Sequence, residues 1–594
     1  MQEKIKRFFC RQTKNKKSVR IEIFALLFYT IFILINDLFC FLFRTNHAWY
    51  FYLISFCLVA IGAVLILRKI KLEKPPTSRY DLIFIVIIAV IFSIRIFIPD
   101  SSFDTLNYHI IAQEQPFSDN VGFNFFPGRW INTHSLPLAD RMHYFFRLIL
   151  GYRLGIILNF LLLIVIYYQV KRVLALIFKN KNGLAISIMA GLGLMTEQIL
   201  TNSMTYYVDI FSIPFFLEII LLIIDKKSKP KHLLAALICG VLVSLKLSNG
   251  FLMLLFLVIY LAKFRRELKL KTVIICGVII VLPLVVYLTN NYIQTKNPIF
   301  PFYNSLFKSP FYEKTNFYES GYGPKSKKET IAWPIVVLFR TRRAFDTDVY
   351  YGRISFGYMA ALVLLLVTAY RRLKQQAQDR LKVFLVILYI LSCLVWSKFM
   401  LGYIRYALIL EILSWFSILI CLKWCFDHRN RLAYILGAVL AGTTFYQISC
   451  SLGDVMVGAR ESSWRYPLTL NDKNYWKNFH AKTDNYKKVV GEYGISCFGI
   501  TDYNAAYASL LGQNIPIIQL NEGAANNYSK NKQAKLLKKC KNLYTLSTTF
   551  TLKRTEGYLE KNGYKKRGEI KKIKVDFIDS ANDLILMPIV EIRD

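Results

Sequence analysis

Long apolar runs constrain this chain more than any other feature. One of them, Ile156-Ile-Leu-Asn-Phe-Leu-Leu-Leu-Ile-Val-Ile-Tyr-Tyr168, carries no charge at all. A helix that crosses the hydrocarbon core of a bilayer needs about 20 predominantly apolar residues. Runs of this kind recur near 21–43, 49–67, 81–99, 149–168, 184–200, 208–224, 232–247, 249–262, 272–290, 354–370, 382–400, 403–422 and 432–450. The expectation is an α-helical polytopic membrane protein with about thirteen transmembrane helices. The first run is too long for the apolar core of a cleaved signal peptide, and no small-x-small cleavage site follows it. Only 19% of the residues are charged, against roughly 25% in soluble domains. Disorder, a collagen-like chain, a disulfide-stapled secreted fold and an ordinary cytosolic enzyme are all excluded.

The chain holds 76 Lys and Arg against 38 Asp and Glu. In a soluble protein such an excess would suggest nucleic acid. Here the cations sit in short loops between apolar runs, so they set topology and no nucleic-acid partner is expected. Basic loops are Lys4 to Arg20, Arg68 to Arg79, Lys171 to Lys181, Lys226 to Lys231, Lys263 to Lys271, Arg371 to Lys382, and Lys423 to Arg431. The intervening short loops hold almost no cations: Arg44 alone in one, none from Thr201 to Asp209. The positive-inside rule makes the basic set cytoplasmic. The N-terminus is then cytoplasmic, and thirteen crossings leave the C-terminal tail extracytoplasmic, in a plasma-membrane protein.

Two domains follow from this pattern. Residues 1–450 form the membrane domain, with large outer loops at 99–148 and 290–353 whose aromatic, amphipathic stretches suit the interface plane. Residues 451–594 read as an α/β domain, with strands at 494–500, 515–520 and 584–590 and helices at 503–511 and 530–541. It has no glycine-rich phosphate loop. The eleven cysteines show no zinc-site spacing and no disulfide framework. Any bridge among Cys450, Cys497 and Cys540 is left open.

The first outer loop carries the most chemistry. It contains Asp100, Asp104, Tyr108 and His109, then Arg129, His134, Asp140 and His143. A helix from Asp104 to Gln115 would put Asp104 and Tyr108 on one face. A carboxylate just outside the bilayer, in a partly dry cleft, is suited to general-base work. Asp104 could equally be a helix N-cap, and the histidines could be ordinary interfacial polar residues. A divalent metal ion held by Asp104, His109 and His134 is an alternative without a short-range ligand motif behind it. Arg95, Asp209, Lys246 and Arg405 lie at or near outer ends of apolar runs. Snorkelling explains Arg95 and Lys246 without a function. Arg405 sits where almost no loop separates two helices, and a guanidinium there can grip a phosphate. Arg340, Arg342 and Arg343 precede Asp346-Thr-Asp348, a weak metal-binding pattern.

These residues resemble the GT-C superfamily of membrane-embedded glycosyltransferases, the group holding the protein O-mannosyltransferases and the lipid A aminoarabinose transferase. The resemblance rests on Phe103-Asp104-Thr-Leu-Asn-Tyr108-His109, Tyr207-Val-Asp209, Asn297-Pro-Ile-Phe-Pro301-Phe-Tyr-Asn304 and Gly402-Tyr-Ile-Arg405-Tyr406, and on many spans followed by an outer α/β domain. It covers about the first 450 residues. Asp104 is followed by Thr105 where mannosyltransferase-like members carry Asp-Glu, and the acidic loop follows the third helix where theirs follows the first.

The resemblance implies a polyprenyl-phosphate sugar donor and an envelope glycan, lipid or protein acceptor. Asp104 would be the base. Arg405, with Lys246 or Arg95, would hold the phosphate. Tyr108, His109 and His134 would orient the sugar or the acceptor, and Asp209 would support a cation or serve equally well as a helix cap. Rivals are a flippase or transporter for lipid-linked glycans, a polymerase or ligase of another membrane fold, and a scaffold that binds cell-wall polymer.

Overall fold

The computed structural model describes residues 17–591. Outside the described residues lie 1–16, 46–47, 98–99, 101, 103, 118–120, 123–135, 180–182, 226–230, 317–320, 345–351, 375–378, 429–430, 458–488, 501–507, 509–514, 521–530, 532–533, 549–551, 562, 575–582 and 592–594.

Each of the thirteen apolar runs contains helix. Among the described residues, seven helices are long and apolar enough to cross a membrane: Ile21–Leu42, Trp49–Leu67, Ile157–Phe178, Leu270–Thr295, Gly352–Leu373, Arg380–Phe399 and Ile409–His428. An eighth candidate is the pair Gly183–Leu194 and Glu197–Ser203, bent by 77° at the break between them. The other runs fall short of that test, as in Asp81–Ser93 and His232–Leu245. The molecule is a multi-pass membrane protein, and the count of thirteen crossings exceeds what helix length and composition support. Many apolar side chains point outward. None of Leu270–Val281 is buried, an arrangement that hydrocarbon tolerates and water does not.

One boundary moves by eight residues. The run near 149–168 becomes two helices, Leu138–Leu154 and Ile157–Phe178. Gly151 at φ 82° interrupts the first of them. Gly155 makes the corner, because a Cβ there would lie 2.6 Å from Arg147 Cα. The helix of the thirteenth run, Arg431–Val457, extends past the expected domain boundary at 450.

Two ends of the helix bundle can be told apart. At one end the basic loops meet. Strand Lys17–Arg20 pairs in parallel with Ile70–Glu73. Arg20 bonds Glu218 at 2.7 Å, and Arg172 bonds Glu22 at 2.7 Å and Glu73 at 2.8 Å. The other end carries the loop expected at 99–148 and the C-terminal sheet.

That sheet runs in the order Val121–Gly122, Ile517–Gln519, Cys497–Ile500, Leu543–Thr548, Asp583–Glu591, Tyr564–Lys566, and Lys571–Lys574 also pairs with Asp583–Glu591. Its first four strands are parallel, and Asp583–Glu591 is antiparallel to its neighbours. The three strands expected from sequence are present with shifted ends, and the expected helix at 503–511 lies almost wholly outside the described residues. Val121–Gly122 comes from the first outer loop, so the loop contributes a strand to the tail domain. A shared apolar core joins them further: Ile110, Ile111, Tyr152 and Tyr206 pack with Ile495, Phe498, Ile517 and Leu586. A bridge links Cys497 to Cys540.

Candidate functional site

Four segments far apart in sequence converge beneath the tail domain. The first begins at Asp100, a buried carboxylate. Its Oδ1 accepts the Ser102 amide at 2.9 Å, and its Oδ2 accepts the Thr105 hydroxyl and the Tyr206 amide, each at 2.7 Å. Asp100 therefore opens the Asp104 helix and ties it to the Tyr207-Val208-Asp209 segment. The first turns, Thr105–His109, are wound as a π-helix, a wider coil that is frequent at functional sites.

Asp104 makes no capping bond, which removes the N-cap alternative. Its Oδ2 instead accepts from Arg405 Nη2 at 2.6 Å. Tyr108 bonds the same carboxylate, so the shared helix face expected from sequence is realised. Burial pushes the Asp104 carboxyl up, but Arg405, His109 and the Tyr108 hydroxyl outweigh it and hold the group below the usual carboxylate range. Tyr108 is pushed well above the usual phenol value by burial and by the Asp104 charge.

Arg405 comes from the short turn Ile404–Ala407 between two spans. Gly402 sets that turn. It sits at φ 54°, and a Cβ there would collide with the Trp333 indole, whose Nε1 donates to the Gly402 carbonyl at 3.1 Å. Arg405 also faces Asp209 at 3.9 Å, and Asp209 bonds Lys246 at 2.6 Å. The order Asp104, Arg405, Asp209, Lys246 is a ladder of alternating charge. Its outer rungs Asp104 and Lys246 are 18% and 24% exposed, its inner rungs Arg405 and Asp209 8% and 3%. Tyr207 and Tyr403 lie 4.4 and 5.6 Å from the Arg405 guanidinium, and Tyr406 lies 4.2 Å from the Lys246 ammonium. Such aromatic walls favour cations in a dry site.

His109 turns toward Asp140, with Nδ1 2.8 Å from Oδ1. Further along, Arg141 Nη1 donates to the Gln113 carbonyl at 2.7 Å, and Arg147 Nε to Gln113 Oε1 at 2.9 Å. Arg141 is itself bonded to Asp37 at 2.8 Å, which also accepts from the Tyr287 hydroxyl at 2.8 Å. Helix Leu138–Leu154 thus clamps the Asp104 helix against two membrane helices.

Five residues predicted from sequence come together: Asp104, Tyr108, Asp209, Lys246 and Arg405. His109 is adjacent, its ring 4.4 Å from that of Tyr108. His134, Asp346 and Asp348 lie outside the described residues. Arg95 is within helix Asp81–Phe97, and its side chain is also outside them. Arg343 is occupied elsewhere, on Glu329 at 2.8 Å. Asn297 and Asn304 build the second outer loop from within, Asn304 Oδ1 accepting the Ser309 amide at 2.8 Å. Among the described residues no group of three or more His, Cys, Asp or Glu is placed to hold a metal ion. Sequence reasoning missed Asp100, Asp140 and Tyr207 as parts of the site. The one available signal was the crowding of carboxylates in a loop of an otherwise basic chain.

A multi-pass membrane protein with a charge ladder at one end is the class that fold and site define. A family model described as a domain of unknown function (DUF8201) matches residues 144–410. No curated protein matches the chain. Among solved structures, the chain is similar to ArnT from Cupriavidus metallidurans bound to undecaprenyl phosphate, at 11% identity and a TM-score of 0.48, over 85% of this chain and 97% of that one. The same protein in the apo state gives 12% identity and a TM-score of 0.47 over the same shares. At this distance the likeness says nothing of activity.

Proposed function

We propose that this chain is a membrane glycosyltransferase that moves a sugar from a polyprenyl-phosphate donor to a hydroxyl acceptor at the extracytoplasmic face. The 2.6 Å pair of Asp104 and Arg405 beside Asp209 and Lys246 carries the reading. It brings two carboxylates and two cations together, largely buried, at the end of a helix bundle. A base for the acceptor and a grip for a departing phosphate are what such a transfer needs, and charge stabilisation is the largest single contribution. Outside the cell no nucleotide-sugar is supplied, so a donor there has to be lipid-linked.

In the reaction Asp104 accepts the acceptor's hydroxyl proton. The acceptor oxygen forms a bond to the anomeric carbon from the face opposite the phosphate. The bond from that carbon to the phosphate oxygen breaks, and its electron pair leaves with the polyprenyl phosphate, held by Arg405 and Lys246. In-line attack inverts the anomeric carbon. Tyr108 and His109 border the base and orient the sugar or the acceptor. The acceptor class is an envelope glycan, lipid or protein. The basic loops at the opposite end of the bundle support this sidedness, and so does the Cys497–Cys540 bridge, since disulfides persist in oxidising compartments.

The test is sugar transfer in membranes. Asp104→Asn is expected to cut the rate by roughly 10²–10⁴-fold, the range for general-base catalysis, with unchanged membrane expression. Near wild-type transfer would remove the base assignment. Arg405→Ala is expected to impair donor use far more than acceptor use, and equal effects would take it out of the phosphate site.

A further inference from the structure

The two cations of the site sit on its two carboxylates, Arg405 on Asp104 and Lys246 on Asp209. We propose that the donor's phosphate and the Asp104 carboxylate compete for the same guanidinium, so that donor binding frees the base and the reaction runs donor first. The proposal rests on the glycosyltransferase reading and adds to it an order of events.

Asp104, Arg405, Asp209 and Lys246 alternate in sign and sum to zero, with contacts of 2.6, 3.9 and 2.6 Å. Tyr207 and Tyr403 crowd the Arg405 guanidinium at 4.4 and 5.6 Å. An anion therefore meets the guanidinium along its edge, where Asp104 already sits. Lys246 repeats the pattern, between Asp209 and the Tyr406 ring at 4.2 Å. Asp104 holds Arg405 Nη2 at 2.6 Å and Asp209 lies 3.9 Å from Nε, so both carboxylates oppose a phosphate drawn to these cations, because like charges a few ångströms apart in a largely buried site repel strongly.

Linkage makes the effect reciprocal. The factor by which Asp104 weakens phosphate binding is the factor by which phosphate weakens the Asp104–Arg405 pair. While paired, Asp104 is a poor proton acceptor. Once phosphate takes Arg405, the carboxylate faces the cleft with its proton affinity restored and the leaving group already gripped.

The consequence runs against the usual effect of deleting a catalytic group. Asp104→Asn should cut transfer as above and yet tighten phosphate binding, because it removes the competing anion. The measurement is a titration of the purified full chain in detergent with a polyprenyl monophosphate, read by thermal shift, with the matching polyprenol as control. Wild type is expected to prefer the phosphate over the alcohol. Asp104→Asn is expected to bind the phosphate about tenfold tighter than wild type, and Asp209→Asn, which releases Lys246, to tighten it as well. Wild-type preference for phosphate together with equal or weaker binding by Asp104→Asn overturns the competition and leaves the phosphate site standing. No preference in wild type sinks the donor reading itself. Should Asp104→Asn fail to fold, Asp104→Ser decides the competition in the same way, by tighter binding or its absence.

Discussion

His143 lies in helix Leu138–Leu154, outside the spans, with Nε2 2.8 Å from Asn159 Oδ1. Asn159 donates its amide to the carbonyls of Asn202 and Thr205 at 3.3 and 2.8 Å. The amide oxygen is therefore the atom turned to the histidine, and Nε2 carries the proton. Nδ1 is buried without a hydrogen-bond partner among the described residues. Burial pulls the His143 pKa from 6.5 to about 3, against the raising effect of Asn159. The folded chain thus refuses a proton that the unfolded chain accepts. Stability is full above pH 6.5 and falls by about 1.4 kcal/mol per pH unit between that value and the folded pKa. Melting of the detergent-solubilised chain should drop between pH 7 and 5, and less steeply in His143→Gln. Parallel curves would show that His143 does not resist protonation.

At this scale Asp104 and Arg405 were legible because each is a charge where an apolar chain rarely spends one. Asp100 was not, since a carboxylate satisfied by two backbone amides and a hydroxyl looks in sequence like any loop aspartate. Asp140 hid in the same way, its role depending on which histidine it meets.

Among the elements, apolar runs announced the helices, because hydrocarbon demands them wherever the chain crosses it. The 77° break at 194–197 was invisible. Its second half, Glu197–Ser203, reads in sequence as far as Leu200 as the straight end of the run near 184–200, and every one of its residues is buried. The strand Val121–Gly122 was invisible too, because its partner Ile517–Ile518 lies about four hundred residues away. That pairing and the shared core give the tail domain a mechanical role in holding the Asp104 helix. Phe498 is fully buried in that core beside Ile110 and Ile111. Phe498→Ala should cost about 3–5 kcal/mol of local stability. Hydrogen exchange would then rise along 104–114 as well as in the tail, and transfer would fall. Faster exchange confined to the tail would mean that the domain rests on the helix without bracing it.

For the whole molecule, the packing of Ile495, Phe498 and Leu586 against Ile110, Tyr152 and Tyr206 places the tail domain and the charge ladder on the same side of the membrane. Which side that is decides the donor. On the cytoplasmic side nucleotide-sugars abound and a lipid carrier is unnecessary; on the outer side the lipid is the only supply. The Cys497–Cys540 bridge closes 43 residues of chain, a constraint worth roughly 4 kcal/mol in the chain-entropy picture, and only an oxidising compartment would maintain it. Intact cells treated with a membrane-impermeant reductant and then an impermeant maleimide should label the full-length chain. A Cys497→Ser, Cys540→Ser double variant should lose the part of that label that depends on the reductant, because Cys497–Cys540 is the disulfide found among the described residues. Labelling that appears only after lysis would put the ladder in the cytoplasm, where the argument for a polyprenyl-phosphate donor fails whatever the geometry of Asp104 and Arg405.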